Sequence, residues 1–200
     1  MEKRTGAGGT ELRVVKTGTK IRLDSTSVNY SFGTLHDVFA EALESAGAYA
    51  LKPQTVLLLG MGAGSVVELL NRRAPPRSIV AVEIDDVVID LARRHFSIER
   101  HANLTIIHDC AARFLAENPA TFDLCVVDLF IDNLTPEHCE SDDFIQNLRR
   151  ATRQTAIFNR LTETNENRRR NEAFGNRFAQ HFPRHERLSL PYNDLWVGRI

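Results

Sequence analysis

Three glycines and one glutamate have a spacing in this sequence that suggests a ligand-binding site. Gly60, Gly62 and Gly64 stand at alternate positions directly after an apolar run, and Glu83 follows 19 positions after Gly64. Glycine permits a tight turn and lets a ligand approach the bare backbone. A helix that begins after such a turn offers free N–H groups and the positive end of its dipole. The pattern predicts a loop for a nucleotide-like ligand, although glycine-rich turns also occur in other α/β proteins.

Glu83 narrows the class of ligand. It ends a second apolar run, and in doubly wound sheets an acidic residue at that place accepts hydrogen bonds from ribose hydroxyls. The dinucleotide fingerprint expects glycine or alanine at its sixth position, where this sequence has Ser65. The spacing therefore favours an adenosyl ligand other than NAD.

The elements that must position these residues alternate between strand and helix. The predicted strands are 55–60, 78–83, 104–108, 122–128 and 154–159, and the predicted helices are 64–73, 85–96, 110–117, 141–150 and 167–181. Residues 187–200 read as a hairpin that adds antiparallel strands at the sheet edge. This order predicts an α/β fold with a doubly wound, mostly parallel seven-stranded sheet and helices on both faces.

The chain before this sheet is predicted to be a small appendage. Residues 1–10 are polar and glycine-rich, which predicts a disordered tail. Residues 11–50 predict a β-hairpin around Thr17-Gly18 and then a helix. That helix opens at Thr34, where Asp37 completes a capping-box pattern, and ends at Gly47. Residues 51–200 are then predicted to form the nucleoside-binding domain.

Charge and composition exclude some classes of protein. The net charge is −1, but residues 82–143 carry 14 acidic residues and 4 arginines, whereas residues 149–187 carry 10 arginines and 4 glutamates. The two spans could attract a cationic substrate and phosphates, or could simply be solvated faces. We expect a cytoplasmic protein without a membrane partner, because neither a membrane-length apolar run nor a signal peptide is visible. Three cysteines without metal-ligand spacing predict reduced thiols and no metal site.

The order of motifs resembles the class I (Rossmann-like) S-adenosylmethionine-dependent methyltransferase superfamily. Within it the chain is similar to spermidine synthases and their relatives. The similarity lies in Val80-Ala81-Val82-Glu83-Ile84-Asp85, in Val87-Val88-Ile89-Asp90-Leu91-Ala92 and in Phe122-Asp123-Leu124-Cys125-Val126-Val127-Asp128. It covers roughly residues 33–200, including the terminal hairpin.

The resemblance implies roles for the residues at the strand ends. Gly60, Gly62 and Gly64 would bind the cofactor, and Glu83 would hold the ribose hydroxyls. The resemblance also implies that Ile84 lies against the adenine ring and that Asp109 accepts from its amino group. Asp109 could instead cap helix 110–117, and the two roles are compatible.

Two carboxylates after the fourth strand are the implied catalytic pair. Asp128 would take a proton from the attacking amine, which is protonated at pH 7 and cannot attack until a base removes that proton. Asp132 would hold the amine's other hydrogens or its far ammonium group, or would form a turn with Asn133.

These residues predict a spermidine synthase-like transferase that moves a methyl or aminopropyl group to a small, cationic amine. The donor is S-adenosylmethionine or its decarboxylated form. Family members carry an aspartate where this chain has Ala63, and its loss slightly favours ordinary S-adenosylmethionine. The alternatives are a non-catalytic nucleoside-binding relative and a nucleic-acid methyltransferase, the latter suggested by the arginines of 149–187. A homodimer is left open.

Overall fold

Four short antiparallel strands begin the chain in this computed structural model, which describes residues 2–6, 9–18, 20–25, 29–31, 34–131 and 133–200. They are β1 (Glu2–Thr5), β2 (Glu11–Thr17), β3 (Lys20–Ser25) and β4 (Asn29–Ser31), side by side in that order. The predicted hairpin is the β2–β3 pair. The predicted disordered tail does not hold for Glu2–Thr5, because these residues pair with β2.

Two helices follow this sheet, α1 (Thr34–Ser45) and α2 (Ala48–Leu51). Gly47 lies between them with φ 72°, a left-handed conformation that glycine adopts at little cost, which explains why α1 ends there. The predicted capping box at the start of α1 involves two side chains outside the described part of the chain.

The N-terminal sheet packs on the main domain through a small apolar cluster. Leu12, Val14 and Leu23 from β2 and β3 are buried together with Ala63, Val88 and Leu91. Glu2 of β1 adds an ion pair to Arg94 and a hydrogen bond to His95 on the helix that carries Val88 and Leu91. The sheet therefore covers part of the glycine loop.

The main sheet has seven strands, as the sequence predicts. In chain order they are β5 (Thr55–Leu59), β6 (Ser78–Glu83), β7 (Leu104–His108), β8 (Phe122–Val127), β9 (Thr152–Leu161), β10 (Arg184–Ser189) and β11 (Asn193–Arg199). Their spatial order is β10-β11-β9-β8-β5-β6-β7. Strands β5 to β9 are parallel, and β10 and β11 form the predicted antiparallel hairpin. The predicted fold class is confirmed.

The two faces of this sheet are covered by α1 together with the helices α3 (Ser65–Arg73), α4 (Asp86–Phe96), α5 (Ala111–Glu117), α6 (Asp142–Ala151) and α7 (Asn165–His181). Val56 and Leu58 of β5 are buried with α1, α3 and α4, whereas Leu57 and Leu59 are buried with α5, α6 and α7. Burial on both faces explains the unbroken apolar runs of the parallel strands. Within the described ranges, no helix has the length and apolarity needed to span a membrane.

The strand order places the predicted site residues at one edge of the sheet. The order reverses between β5 and β8, since β6 and β7 lie on one side and β9 on the other. Open α/β sheets bind ligands at the carboxyl ends of strands beside such a reversal. Gly60 follows β5, Glu83 ends β6 and Asp128 follows β8, so all three lie at this reversal.

Candidate active site

The turn after β5 is shaped by its close approach to β8. Gly60 has φ 85°, and a Cβ added there would lie 2.1 Å from the carbonyl oxygen of Asp128. The N–H of Gly60 donates to Val82 O (2.9 Å), and the N–H of Asp128 donates to Leu59 O (2.8 Å). Glycine is therefore required here both by conformation and by space. This contact fixes the turn against the residue predicted to act as the base.

The other two glycines of the loop differ in what surrounds them. Gly62 has φ 54° and donates its N–H to Glu83. Gly64 has φ 91° and precedes α3 without a side-chain cap, and a Cβ there would lie 2.2 Å from Cδ1 of Ile98. Gly64 thus allows Ile98 to pack tightly on the loop. Binding of a cofactor by these glycines stays a prediction.

Glu83 is tied to the glycine loop by four backbone hydrogen bonds. Its Oε2 accepts from the N–H groups of Met61 (3.1 Å) and Gly62 (3.0 Å). Its Oε1 accepts from those of Ile84 (2.9 Å) and Asp85 (3.1 Å). A carboxylate offers about four lone-pair sites, so the backbone already occupies its acceptor capacity. Burial raises the pKa of Glu83, and the N–H donors act in the opposite direction.

The residues predicted to contact adenine lie beside Glu83. The Ile84 side chain is 56% exposed, which is unusual for isoleucine and leaves an apolar surface next to the loop. Asp109 follows β7, where its Oδ1 accepts from the N–H of Cys110 (2.6 Å) and from Nε of Arg113 (2.7 Å). The helix begins after Cys110, one residue later than an Asp109 cap requires. Asp109 is therefore partly engaged by a local hydrogen bond and an ion pair.

Asp128 lies half-buried directly after β8. Its Oδ1 accepts a hydrogen bond from Nδ2 of Asn159 (2.9 Å). The pKa of Asp128 is raised to about 7, mainly by burial and also by the negative charge of Glu83, while the Asn159 hydrogen bond acts in the opposite direction. A carboxyl group with a pKa near the working pH can both take up and release a proton, which is what a general base must do.

The segment after Asp128 is only partly described. Leu129 packs against the core of the α5–α7 face, whereas Ile131 is 61% exposed and exchanges backbone hydrogen bonds with Leu134. Asn133 lies in a turn. Asp132, the second predicted catalytic residue, lies outside the described residues.

A cavity of about 530 Å³ lies away from these strand ends. It is lined by charged residues of the 3₁₀ helix Glu137–Glu140, of the start of α6 and of α7, and contains none of the predicted site residues. Among the described residues, no group of three or more His, Cys, Asp or Glu side chains is arranged to hold a metal ion. The geometry at the strand ends, and not cavity size, identifies the candidate site.

Comparison with known proteins identifies the family. The sequence model described as "Spermine/spermidine synthase domain" matches residues 37–180. The chain belongs to the spermine/spermidine synthase family. A polyamine aminopropyltransferase from Vibrio vulnificus is 32% identical over 98 residues, which are 47% of this chain and 32% of that protein. The chain thus spans about a third of the length of this relative.

Solved structures share the fold. A probable spermidine synthase from Corynebacterium glutamicum has a TM-score of 0.81 at 16% identity, over 99% of this chain and 79% of that one. Human methyltransferase-like protein 13, in complex with SAH, has a TM-score of 0.69 at 17% identity, over 84% of this chain and 83% of that one. The fold is therefore that of spermidine synthases and of class I methyltransferases.

This member of the spermidine synthase family departs from the implied pattern at Ala63. Ala63 is 2% exposed and is covered by Leu12, Val14 and Leu23 of the N-terminal sheet. The position where the resemblance implies a donor-binding aspartate is therefore an apolar contact between the sheet and the loop.

An arginine cluster was missed from the sequence. Glu140, 6% exposed, accepts from Arg160 (2.6 Å) and Arg170 (2.7 Å), and Arg177 donates to its backbone carbonyl (3.0 Å). Arg160 is itself 3% exposed. Arginines of the basic span 149–187 thus neutralise one buried glutamate of the acidic span 82–143. Of the α7 arginines, Arg168 and Arg169 are exposed as a solvated face would be, whereas Arg170 and Arg177 bind Glu140.

Asn159 was also missed as a partner of Asp128. The sequence does contain a signal, because Asn159 is a polar residue at the end of a predicted apolar strand, as Glu83 and Asp128 are. Assigning it to Asp128 needs the strand order, which places β9 next to β8.

Proposed function

We propose that this chain binds the adenosyl part of a sulfonium donor over the glycine loop and transfers an aminopropyl group to an amine. The family assignment and the relative named polyamine aminopropyltransferase support this reaction class. The observation that carries the proposal is the convergence of Gly62, Glu83 and Asp128 at the reversal of strand order.

The chemistry asked of the protein is mainly positioning and one proton transfer. The amine nitrogen attacks the carbon next to the sulfonium, a carbon–nitrogen bond forms, and the carbon–sulfur bond breaks with its electron pair going to sulfur. The proton of the amine goes to Asp128, whose pKa of about 7 suits this role. Holding the two reactants in line supplies most of the remaining acceleration.

Glu83 acts in this proposal as a carboxylate that exchanges partners. Its four acceptor sites are filled by backbone N–H groups, so a ribose hydroxyl must replace or share a bond from Met61 or Gly62. Ribose binding is thereby coupled to the shape of the glycine loop.

Calorimetry tests the binding part of this proposal. The chain is titrated with S-adenosylmethionine, decarboxylated S-adenosylmethionine and methylthioadenosine. We expect binding of the decarboxylated donor and of methylthioadenosine, followed by turnover when an amine such as putrescine is added. If none of the three nucleosides binds, the transferase proposal is refuted.

Ala63 supports methyl transfer from ordinary S-adenosylmethionine as a second candidate. A carboxylate at this place would attract the donor's ammonium group and repel the carboxylate that only S-adenosylmethionine carries, and here the buried methyl group does neither. Tighter binding of S-adenosylmethionine than of its decarboxylated form would favour this candidate.

The apolar segment Leu129-Phe130-Ile131 supports a third candidate, a nucleoside-binding protein without turnover. The exposed Ile131 beside the proposed base is suited to a non-amine ligand or a partner. The Asp128→Asn variant discriminates, because an enzyme loses turnover while its nucleoside affinity stays the same. Nucleoside binding by the unmodified chain without product formation from any amine supports this candidate.

A further inference from the structure

Two buried asparagines extend from Asp128 into the sheet. Asn159 donates from Nδ2 to Asp128 Oδ1 (2.9 Å), and Asn193 donates from Nδ2 to Asn159 Oδ1 (2.8 Å). Their exposed fractions are 0% for Asn159 and 2% for Asn193. Buried amides are costly unless they are hydrogen-bonded, so these contacts stabilise a defined arrangement.

The register of the sheet places the three side chains together. Val127 of β8 pairs with Phe158 of β9, so the next residues along these parallel strands, Asp128 and Asn159, lie side by side. Strand β11 runs antiparallel to β9 on its other side, which brings Asn193 close to Asn159. The contacts are thus built on paired strands and not on a mobile loop.

The two hydrogen bonds favour one orientation of the Asn159 amide. If the Asn159 amide rotated by half a turn, its oxygen would face the Asp128 carboxylate and its NH₂ group would face the NH₂ group of Asn193. Both contacts would then be repulsive. Asp128, which accepts, and Asn193, which donates, therefore both favour the orientation in which Nδ2 of Asn159 faces Asp128.

We propose that Asn159, oriented by Asn193, is a positioning residue that holds the Asp128 carboxylate ionised and leaves its Oδ2 for the amine proton. This inference rests on the proposed function for its catalytic meaning. A donor to an ionised carboxylate stabilises the charged form. Among the described residues, the ionisable group that bears on Asp128 is Glu83, which acts in the opposite direction. Without the amide, Asp128 would stay protonated at a higher pH and could not accept the proton.

Carboxyl-carbon NMR titration of the full chain tests this role directly. The Asp128→Asn variant identifies the Asp128 resonance by its loss. We expect Asn159→Leu to raise the pKa of Asp128 by about one unit, a tenfold change in its acid dissociation constant. Asn193→Leu should raise it by less, because the donor remains but can rotate.

Asn171→Leu is the matched control. Asn171 is 1% exposed and bonded to Arg160, to Asp194 and to the carbonyl of Leu161, so its loss also removes buried hydrogen bonds. It does not contact Asp128, and we expect the Asp128 titration to be unchanged. Where turnover is measurable, the acidic limb of the kcat profile should move upward in Asn159→Leu and stay in place in the control.

The unmodified protein supplies a measurement that needs no core substitution. The side-chain ¹⁵N resonance of Asn159 should follow the Asp128 titration curve, since the two groups share a hydrogen bond. An unshifted Asp128 titration in Asn159→Leu, or an Asn159 resonance that ignores that titration, would overturn the inference. Both NMR measurements are made without the sulfonium donor or the acceptor amine, so they test the inference even if the transferase proposal fails.

Discussion

Replacing Asp128 by Asn should stabilise the protein at neutral pH while removing its proposed base. Asn has the same shape and still offers an oxygen to the Nδ2 group of Asn159. It carries no charge, so the cost of ionising a half-buried carboxyl group beside Glu83 disappears. A residue retained for chemistry at the expense of stability should show this behaviour.

The magnitude follows from the pKa of Asp128. Its ordinary value is 3.8 and its value in the folded protein is about 7. Between these values the folded chain holds a proton that the unfolded chain has released, so wild-type stability falls as the pH rises. Each pH unit costs a little over 1 kcal/mol until the pH nears 7, which gives roughly 2–3 kcal/mol between pH 5 and 7. Because part of Asp128 is open to solvent, we expect roughly 2 kcal/mol.

Urea unfolding of the wild type and of Asp128→Asn at pH 5 and at pH 8 measures the effect. The stability difference between the two proteins should shift in favour of the variant by roughly 2 kcal/mol from the lower to the higher pH. The slope with denaturant should stay the same, since the exposed surface does not change. Asp143→Asn on the exposed first turn of α6 is the control and should show much the same difference at both pH values. A difference that stays constant or shifts toward the wild type at pH 8 would refute a raised pKa for Asp128.

Three further substitutions test the loop and the ionic cluster. Gly60→Ala should cost about 2–4 kcal/mol in urea unfolding, because its Cβ would lie 2.1 Å from a backbone oxygen, whereas Gly47→Ala, with open space around it, should cost about 1 kcal/mol. Glu83→Gln should weaken nucleoside binding in calorimetry at least tenfold, because the NH₂ group of the glutamine would face two backbone N–H donors. An unchanged affinity would contradict the role of this carboxylate. Glu140→Gln should lower the free energy of unfolding by about 3 kcal/mol, because Arg160 then loses its buried counter-charge. A loss below about 1 kcal/mol would show that the arginine cluster around Glu140 does not stabilise the fold.

The parallel part of the fold could be predicted because its strands are buried on both faces. β6 and β7 have the predicted bounds, and β5 and β8 differ from the prediction by one residue. Apolar runs such as Val56–Leu59 leave no alternation that would suggest another element. Gly47 and the Pro75-Pro76 pair marked breaks through backbone conformation alone, which requires no tertiary information.

The first strand could not be predicted because its stability depends on distant partners. Glu2–Thr5 is polar and mostly exposed, and nothing in its composition favours a strand. It forms because β2 offers an edge for pairing and because Glu2 meets Arg94 and His95 on α4. Such contacts, 92 residues apart in the case of Arg94, are absent from any local pattern.

The positions of the site residues were predictable, but their bonding was not. A residue that follows a parallel strand must lie at the carboxyl edge of the sheet, which is sufficient to place Glu83 and Asp128 together. The four backbone bonds of Glu83 depend on how the loop folds back, and the amide of Asn159 reaches Asp128 only because β9 pairs with β8. The sequence therefore predicts which side chains lie close together, whereas their protonation and their free hydrogen-bond acceptor sites depend on the three-dimensional structure.

Ala63 shows how the N-terminal sheet bears on the choice of donor. An aspartate at this position could bind an ammonium group only if the loop were open above it. Here Leu12, Val14 and Leu23 are buried in one cluster with Ala63, so a carboxylate in its place would lose its contact with water, which is costly. The apolar residues of β2 and β3 and the alanine in the loop are thus compatible, since they are buried together. If the donor binds at Gly62 as we propose, the charges of its tail are expected to be satisfied by groups other than residue 63, and the N-terminal sheet is expected to influence which donor binds.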